Sequence, residues 1–326
     1  MKSRLFFALL VAASLCLASA DDSTFQSDHP ELFMATLKGD AVKVRNLLND
    51  GEPVNAIGEK GVSPLHLAAG LGHTEVILAL LERNADINKG DEQGGTPLMW
   101  ASNQGSADIV RALIASGAKL DAVDDDGTSA LILASGHGHL EVMRLLVEND
   151  APLDVVNKDG ETALMSAANN GHGDAIRLVL EAMRQTGVEQ EGTLTTANKM
   201  GSTALLLAAA AGHADAVSAL LEAGVDTIKE QVDTYGASAL HRAARCRQPA
   251  TCEKVVQTLL KAGVNPSMVD GNGLSATEFA VAALREACIG KDDTDECKHA
   301  TRVMDVLTAA SPLQRQVVEE EEKEEL

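Results

Sequence analysis

Nine histidines, five cysteines and a run of three aspartates are the residues of this 326-residue chain that invite a search for chemistry. His137 and His139 flank Gly138 and could share a metal ion, but no cysteine or nearby carboxylate completes a ligand set. Asp124-Asp125-Asp126 lacks the mid-loop glycine and the closing glutamate of a calcium loop. Cys246 and Cys252 form one pair and Cys288 and Cys297 another. The two pairs lie far apart, without the compact spacing of a zinc site and without a histidine in phase to activate a thiolate. His73, His139, His172 and His213 each follow a glycine at regular intervals, so a repeated structural position explains them. No phosphate-binding glycine loop or paired-acid constellation stands out. The expectation is a chain that is not an enzyme, with no catalytic residue, no metal site and no cofactor.

The elements that carry these residues repeat. Gly-x-(Thr/Ser)-(Pro/Ala)-Leu, or a close variant, begins at Gly61, Gly94, Gly127, Gly160, Gly201, Gly236 and Gly273, with intervals of 33, 33, 33, 41, 35 and 37 residues. A second ladder, Gly39, Gly72, Gly105, Gly138, Gly171 and Gly212, keeps the same phase eleven residues further on. Asp or Asn stands three residues before every glycine of the first ladder but Gly61, as expected of a tight turn. The Thr or Ser that follows is placed to cap a helix, with Pro64 and Pro97 just inside its start. That short helix should stop at the second glycine, which tolerates a left-handed backbone. A second helix follows, with apolar residues at spacings of three and four, as in Val76, Ile77, Leu80 and Leu81. One such pair cannot bury its apolar face alone, whereas stacked neighbours can.

Gly61-Val62-Ser63-Pro64-Leu65-His66-Leu67-Ala68-Ala69, followed by Gly72-His73-Thr74-Glu75-Val76, resembles the ankyrin repeat. The resemblance covers about residues 28–311. It implies an all-α solenoid of about eight helix-turn-helix units with β-hairpin fingers. The first unit, Leu32 through Asn55, is a degenerate polar cap. The family's histidine survives at His66 and His241, while Met99, Ile132, Met165, Leu206 and Glu278 replace it, so those units should lose the bracing it gives a loop. Variable positions of the family, mapped onto this chain, place a partner-binding surface on Glu92, Gln93, Asn103, Gln104, Asp125, Asp126, Thr128, His137, Lys158, Asp159, Glu161, Asn169, Asn170, Met200, Thr234 and Tyr235. Trp100 is expected to be a packing residue.

Three intervals exceed the period. The longest adds eight residues around Gly187 to Thr196 and is expected to lengthen one finger. The 37-residue interval holds Cys246 and Cys252, and Cys288 and Cys297 follow the last glycine, each pair between the two helices of its unit. Removing Cys16 with the first twenty residues leaves four cysteines and three possible connectivities. Pairing Cys246 with Cys252 and Cys288 with Cys297 is favoured, because each pair brackets one inserted loop.

Lys2 and Arg4, the apolar run Leu5 to Leu17 and Ala18-Ser19-Ala20 compose a secretory signal peptide, residues 1–20, followed by a leader over 21–27. Thirteen apolar residues are too few to span a bilayer about 30 Å thick, and no later run is longer, so no membrane insertion is expected. Residues 312–326 form an acidic tail ending in Lys323-Glu324-Glu325-Leu326, which resembles the Lys-Asp-Glu-Leu retrieval signal of the endoplasmic reticulum. Disulfides fit that oxidising compartment. The net charge of −21 excludes nucleic acid as a partner and favours a protein with a basic surface. The expected protein is a monomeric adaptor or scaffold of the endoplasmic reticulum lumen. The alternatives are a secreted effector that binds a foreign protein and a low-affinity calcium buffer acting through the tail.

Overall fold

The computed structural model describes residues 27–187, 190–246, 249–288 and 295–310. The signal peptide, most of the leader and the acidic tail with its terminal tetrapeptide lie outside the described residues. The chain divides into two compact units, up to Lys158 and from Asp159.

The first unit contains four helix pairs: α1 (Pro30–Leu37) with α2 (Ala41–Asn49), α3 (Pro64–Leu71) with α4 (Thr74–Leu81), α5 (Pro97–Gln104) with α6 (Ala107–Ala115), and α7 (Ala130–His137) with α8 (Leu140–Glu148). First helices pack on first helices and second on second along the stack. The second unit repeats the plan with α9 (Ala163–Asn170) and α10 (Gly173–Thr186), a short α11 (Gln190–Thr195), α12 (Ala204–Ala211) and α13 (Ala214–Ile228), α14 (Ala239–Ala244) and α15 (Pro249–Lys261), and α16 (Ala276–Cys288) and α17 (Asp295–Ala310). This is the all-α repeat solenoid that the glycine ladders imply, with eight helix pairs among the described residues.

Four first helices, α3, α5, α7 and α9, begin and end for the same local reasons. Ser63, Thr96, Ser129 and Thr162 accept a hydrogen bond from the backbone N–H three residues on, satisfying a donor that the helix leaves open. Each of these helices ends at a left-handed glycine, such as Gly105 at φ 83°. Glycine is required there twice over. A Cβ on Gly105 would come within 2.6 Å of the ring of His139 in the next repeat, and one on Gly171 would come equally close to His213. Those rings approach because the histidine opening each second helix reaches back along the stack. His73 Nε2 lies 3.0 Å from the Leu37 carbonyl, and His139 Nε2 lies 3.0 Å from that of Asn103. His73 and His139 are thus staples between repeats.

The core is thin and aliphatic. Val76, Ile77 and Leu80, then Ile109, Val110 and Leu113, then Val142, Met143 and Leu146 are buried on successive second helices. Ala68, Ala101 and Ala134 are fully enclosed on the first helices, where a larger side chain would push the layers apart.

The insertion around Gly187 to Thr196 does not lengthen a finger. Val188 and Glu189 lie outside the described residues, but on either side of them the added chain is helical. α10 runs to Thr186 because Glu181-Ala182-Met183-Arg184-Gln185 are good helix formers with no glycine to stop them before Gly187. α11 then packs on α13 through buried Leu194, whose Cδ1 would lie 3.0 Å from a Cβ on Gly224. α13 is interrupted at that glycine.

Candidate partner-binding surface

The loop joining each pair of repeats is built around one side chain. Asp91 Oδ1 accepts from the N–H groups of Gln93 and Gly95, both at 2.9 Å. Asp124 repeats this with Asp126 and Thr128, Asn198 with Met200 and Ser202, Asp233 with Tyr235 and Ala237, and Asp270 with Asn272 and Leu274. The turn closes at a left-handed glycine three residues on. Among the described residues hairpin character is confined to single antiparallel bridges, Val123 with Ser129, Val232 with Ser238 and Val269 with Ser275. The serine at the end of each bridge already caps the next helix, which leaves no room for a second rung.

The two residues inside each turn project from the stack, and the fingers are laced together through their backbones. In the first unit Glu92 N donates to Lys60 O at 2.9 Å, Asp125 N to Gln93 O at 2.8 Å and Lys158 N to Asp126 O at 2.7 Å. In the second, Lys199 N donates to Asp159 O at 2.9 Å and Gly271 N to Tyr235 O at 2.7 Å, while Thr234 Oγ1 donates to Met200 O at 3.2 Å. The tips therefore form a row in each unit.

The residues mapped to the partner surface are all at least partly accessible. In the first unit Glu92, Gln93, Gln104, Asp125, His137 and Lys158 are exposed, and Asn103, Asp126 and Thr128 half-buried. In the second, Asp159, Asn170, Met200, Thr234 and Tyr235 are exposed, and Glu161 and Asn169 half-buried. Asn103, Gln104 and His137 end their helices next to the capping glycines, where His137 Nε2 lies 3.0 Å from Asn103 Oδ1 and its ring stacks on His139. Among the described residues, no group of three or more histidines, cysteines or acids is placed to hold a metal ion.

Behind the tips the packing is polar where the family's histidine is kept. His66 is fully buried, with Nδ1 2.8 Å from Ser63 Oγ and Nε2 2.9 Å from the Gly95 carbonyl of the following finger. Burial lowers its pKa, against the opposing effect of Asp91 and of the Gly95 and Lys89 carbonyls. His241 makes the same brace to Leu274 O at 2.9 Å. Glu278 keeps half of it: its carboxylate accepts from Ser275 N and Oγ but only within its own turn. Trp100 is buried and donates its indole N–H to Asp91 Oδ2 at 3.0 Å, so it ties the first helix of its repeat to the turn acid. Burial raises the pKa of Asp124, although the N–H groups of Thr128 and Asp126 favour its charge.

Sequence reasoning missed the valine that precedes the turn residue. Val232 and Val269 are 43% and 55% exposed, and in the first unit Val123 and Val156 are 46% and 50% exposed. Their signal was a third periodic position, one residue before each turn acid, masked by Gly90 and Ala197 at the equivalent places.

The last two pairs replace the glycine–histidine turn with disulfides. Cys246 is bonded to Cys252 and Cys288 to Cys297, with Cα–Cα separations of 5.8 and 5.0 Å. Each bond ties the end of a first helix to the start of its second. A cavity of about 390 Å³ opens between these pairs, lined by the Cys246–Cys252 bond and by Arg245 and Glu286, whose carboxylate takes a two-pronged bond from Arg245 Nη2 at 2.7 Å.

A family model described as Ankyrin repeats (3 copies) matches residues 32–124, 116–190 and 188–270, together well over half of the chain. No curated protein matches it. No helix among the described residues is long and apolar enough to cross a membrane.

Proposed function

The chain belongs to the ankyrin-repeat family, and from that premise we propose that it is a non-enzymatic adaptor of the endoplasmic reticulum lumen that holds a basic protein partner on its fingertips. Ankyrin repeats are protein-interaction scaffolds. The observation that carries the finer reading is the row of tips, which holds exposed Glu92 and Asp125 and half-buried Asp126 in the first unit and exposed Asp159 in the second. Such charges contribute about 0.2–1 kcal/mol each but together steer association, over a Debye length of about 8 Å at physiological salt. The luminal address rests on the leader-like N-terminus, the two disulfides and the terminal Lys-Glu-Glu-Leu. The partner contacts the protein as a monomer in this reading. A secreted effector is the second reading, favoured by the glutamate that stands where the retrieval signal has aspartate. Calcium buffering would need only the tail, so deleting residues 312–326 separates it from both.

The test is quantitative capture of partners from the compartment that holds the protein. Changing Asp125, Asp126 and Asp159 to Asn should reduce capture of basic proteins and leave folding intact, because Asp124, which builds its turn, and Asn157, at the equivalent position, are untouched. The control changes Glu141, Glu148 and Glu181 to Gln on the second helices and should do little. Equal losses from both triples would mean that overall charge alone matters, and the fingertip surface would fall.

A further inference from the structure

The tips of the two units differ in chemistry. Among the described residues, every large apolar side chain that the second unit exposes lies on a finger: Met200 at 64%, Val232 at 43%, Tyr235 at 70%, Val269 at 55% and Leu274 at 42%. In the first unit Ile57, Val123 and Val156 hold the same finger position as Val232 and Val269, but the two inner turn residues are polar, and the other exposed apolar side chains, Val42 on α2 and Leu78 on α4, lie away from the fingers. Met200 and Tyr235 occupy the same place in adjacent turns, two residues after the turn-building Asn198 and Asp233. The bond from Thr234 to the Met200 carbonyl and that from Gly271 to the Tyr235 carbonyl hold three successive fingers side by side. Large exposed aromatic and thioether groups in a row are what a partner's apolar side chain packs against.

The border of this patch has a sign. Asp159, whose carbonyl takes the N–H of Lys199, flanks Met200, and exposed Glu230 and Glu278 flank the two later fingers. Against them stands exposed Lys199, while Arg242 is held by buried Asp233. We infer that the fingers from Met200 to Leu274 bind a partner segment in which apolar side chains are flanked by lysine or arginine. The inference rests on the fingers being the partner surface and adds what they select: an apolar plug seated by the row, with cationic flanks set against the acids at its edge.

The probe is a labelled peptide, acetyl-Arg-Lys-Leu-Leu-Lys-Arg-amide, titrated by fluorescence anisotropy against the oxidised full-length chain. It should bind, and Met200→Ser with Tyr235→Ser should weaken it by about tenfold or more, whereas Tyr235→Phe keeps the ring and the affinity. Val42→Ser with Leu78→Ser, exposed apolar positions away from the fingers, should change nothing. A Ser-Ser core in the peptide should cost as much as the double variant, and Glu and Asp flanks should abolish binding. No binding up to about 1 mM peptide, or equal binding of the Ser-Ser peptide, overturns the inference. Binding that appears only after residues 311–326 are deleted makes the chain's own tail the occupant, and a dimer in sedimentation that the double variant dissolves makes it a second copy. Either result also overturns the proposal. Loss of partner capture in the Asp125, Asp126 and Asp159 variant without any peptide effect would retain the fingertip surface and reject only this selectivity.

Discussion

His66→Leu tests the brace between repeats most directly, because Leu206 already occupies the equivalent place four units further on. The histidine joins Ser63 to the Gly95 carbonyl and is fully buried. Removing two hydrogen bonds costs about 1 kcal/mol each, and leaving the Gly95 carbonyl without its donor costs about 1–3 kcal/mol more. Leucine returns about 1 kcal/mol by burying apolar surface in place of a ring. The net loss should be about 2–4 kcal/mol at neutral pH. The pH dependence gives a second reading. Burial lowers the folded pKa, so the unfolded chain takes up the proton first, near the ordinary histidine value of about 6.5. The brace's contribution is complete above that value and is lost as pH falls through it toward the folded pKa. Trp100, the chain's one tryptophan, is buried 5.8 Å from the His66 ring and reports the local unfolding. Urea titrations followed by its emission at about pH 7.5 and about pH 5.5 should show the variant less stable at the higher pH and the gap smaller at the lower. Equal stability at the higher pH, or an equal acid loss in both proteins, would refute the reasoning.

Three further outcomes are expected. Ser102 and Ser135 carry buried hydroxyls with no hydrogen-bond partner among the described residues, at positions where Ala69 and Ala168 stand in neighbouring repeats. Each change to alanine should therefore stabilise the protein by about 1 kcal/mol in chemical denaturation. Replacing Cys246 and Cys252 with serine should cost about 2–3 kcal/mol, because a short loop is no longer closed in the unfolded chain. Native protein should also show no reactive thiol, and four of them would reject the oxidising compartment. Masking Leu326 with a C-terminal tag should send a retained protein to the medium, and equal secretion of masked and unmasked forms would favour the effector reading.

The glycine ladders were legible because each glycine does what few other residues do without strain: it adopts a left-handed turn and, at Gly105 and Gly171, leaves space for a ring. The histidine motif was equally visible, but its far partner, the carbonyl of Gly95, belongs to another repeat and could not be read from the local pattern. α11 was misread as finger because Gly192, Thr193 and Thr195 are poor helix formers. Tertiary packing through Leu194 decides the conformation there, and short windows of sequence do not contain it. The apolar patch was only half seen. Met200 and Tyr235 were among the mapped positions, but Val232, Val269 and Leu274 are single residues outside any helical period.

The fingers have a consequence for how this chain can change. In Asp91-Glu92-Gln93-Gly94, Asp124-Asp125-Asp126-Gly127 and Asp233-Thr234-Tyr235-Gly236 the outer residues make the turn, while the inner two lend it only their backbone atoms. Side chains at the inner positions are therefore a vocabulary separable from the grammar that holds them. A new word can be written at one tip without rephrasing its neighbours, because the bonds between tips pass mainly through peptide groups that every amino acid but proline carries in full. Recognition in such a molecule can be revised one finger at a time, while the fold beneath keeps the same two letters at each turn.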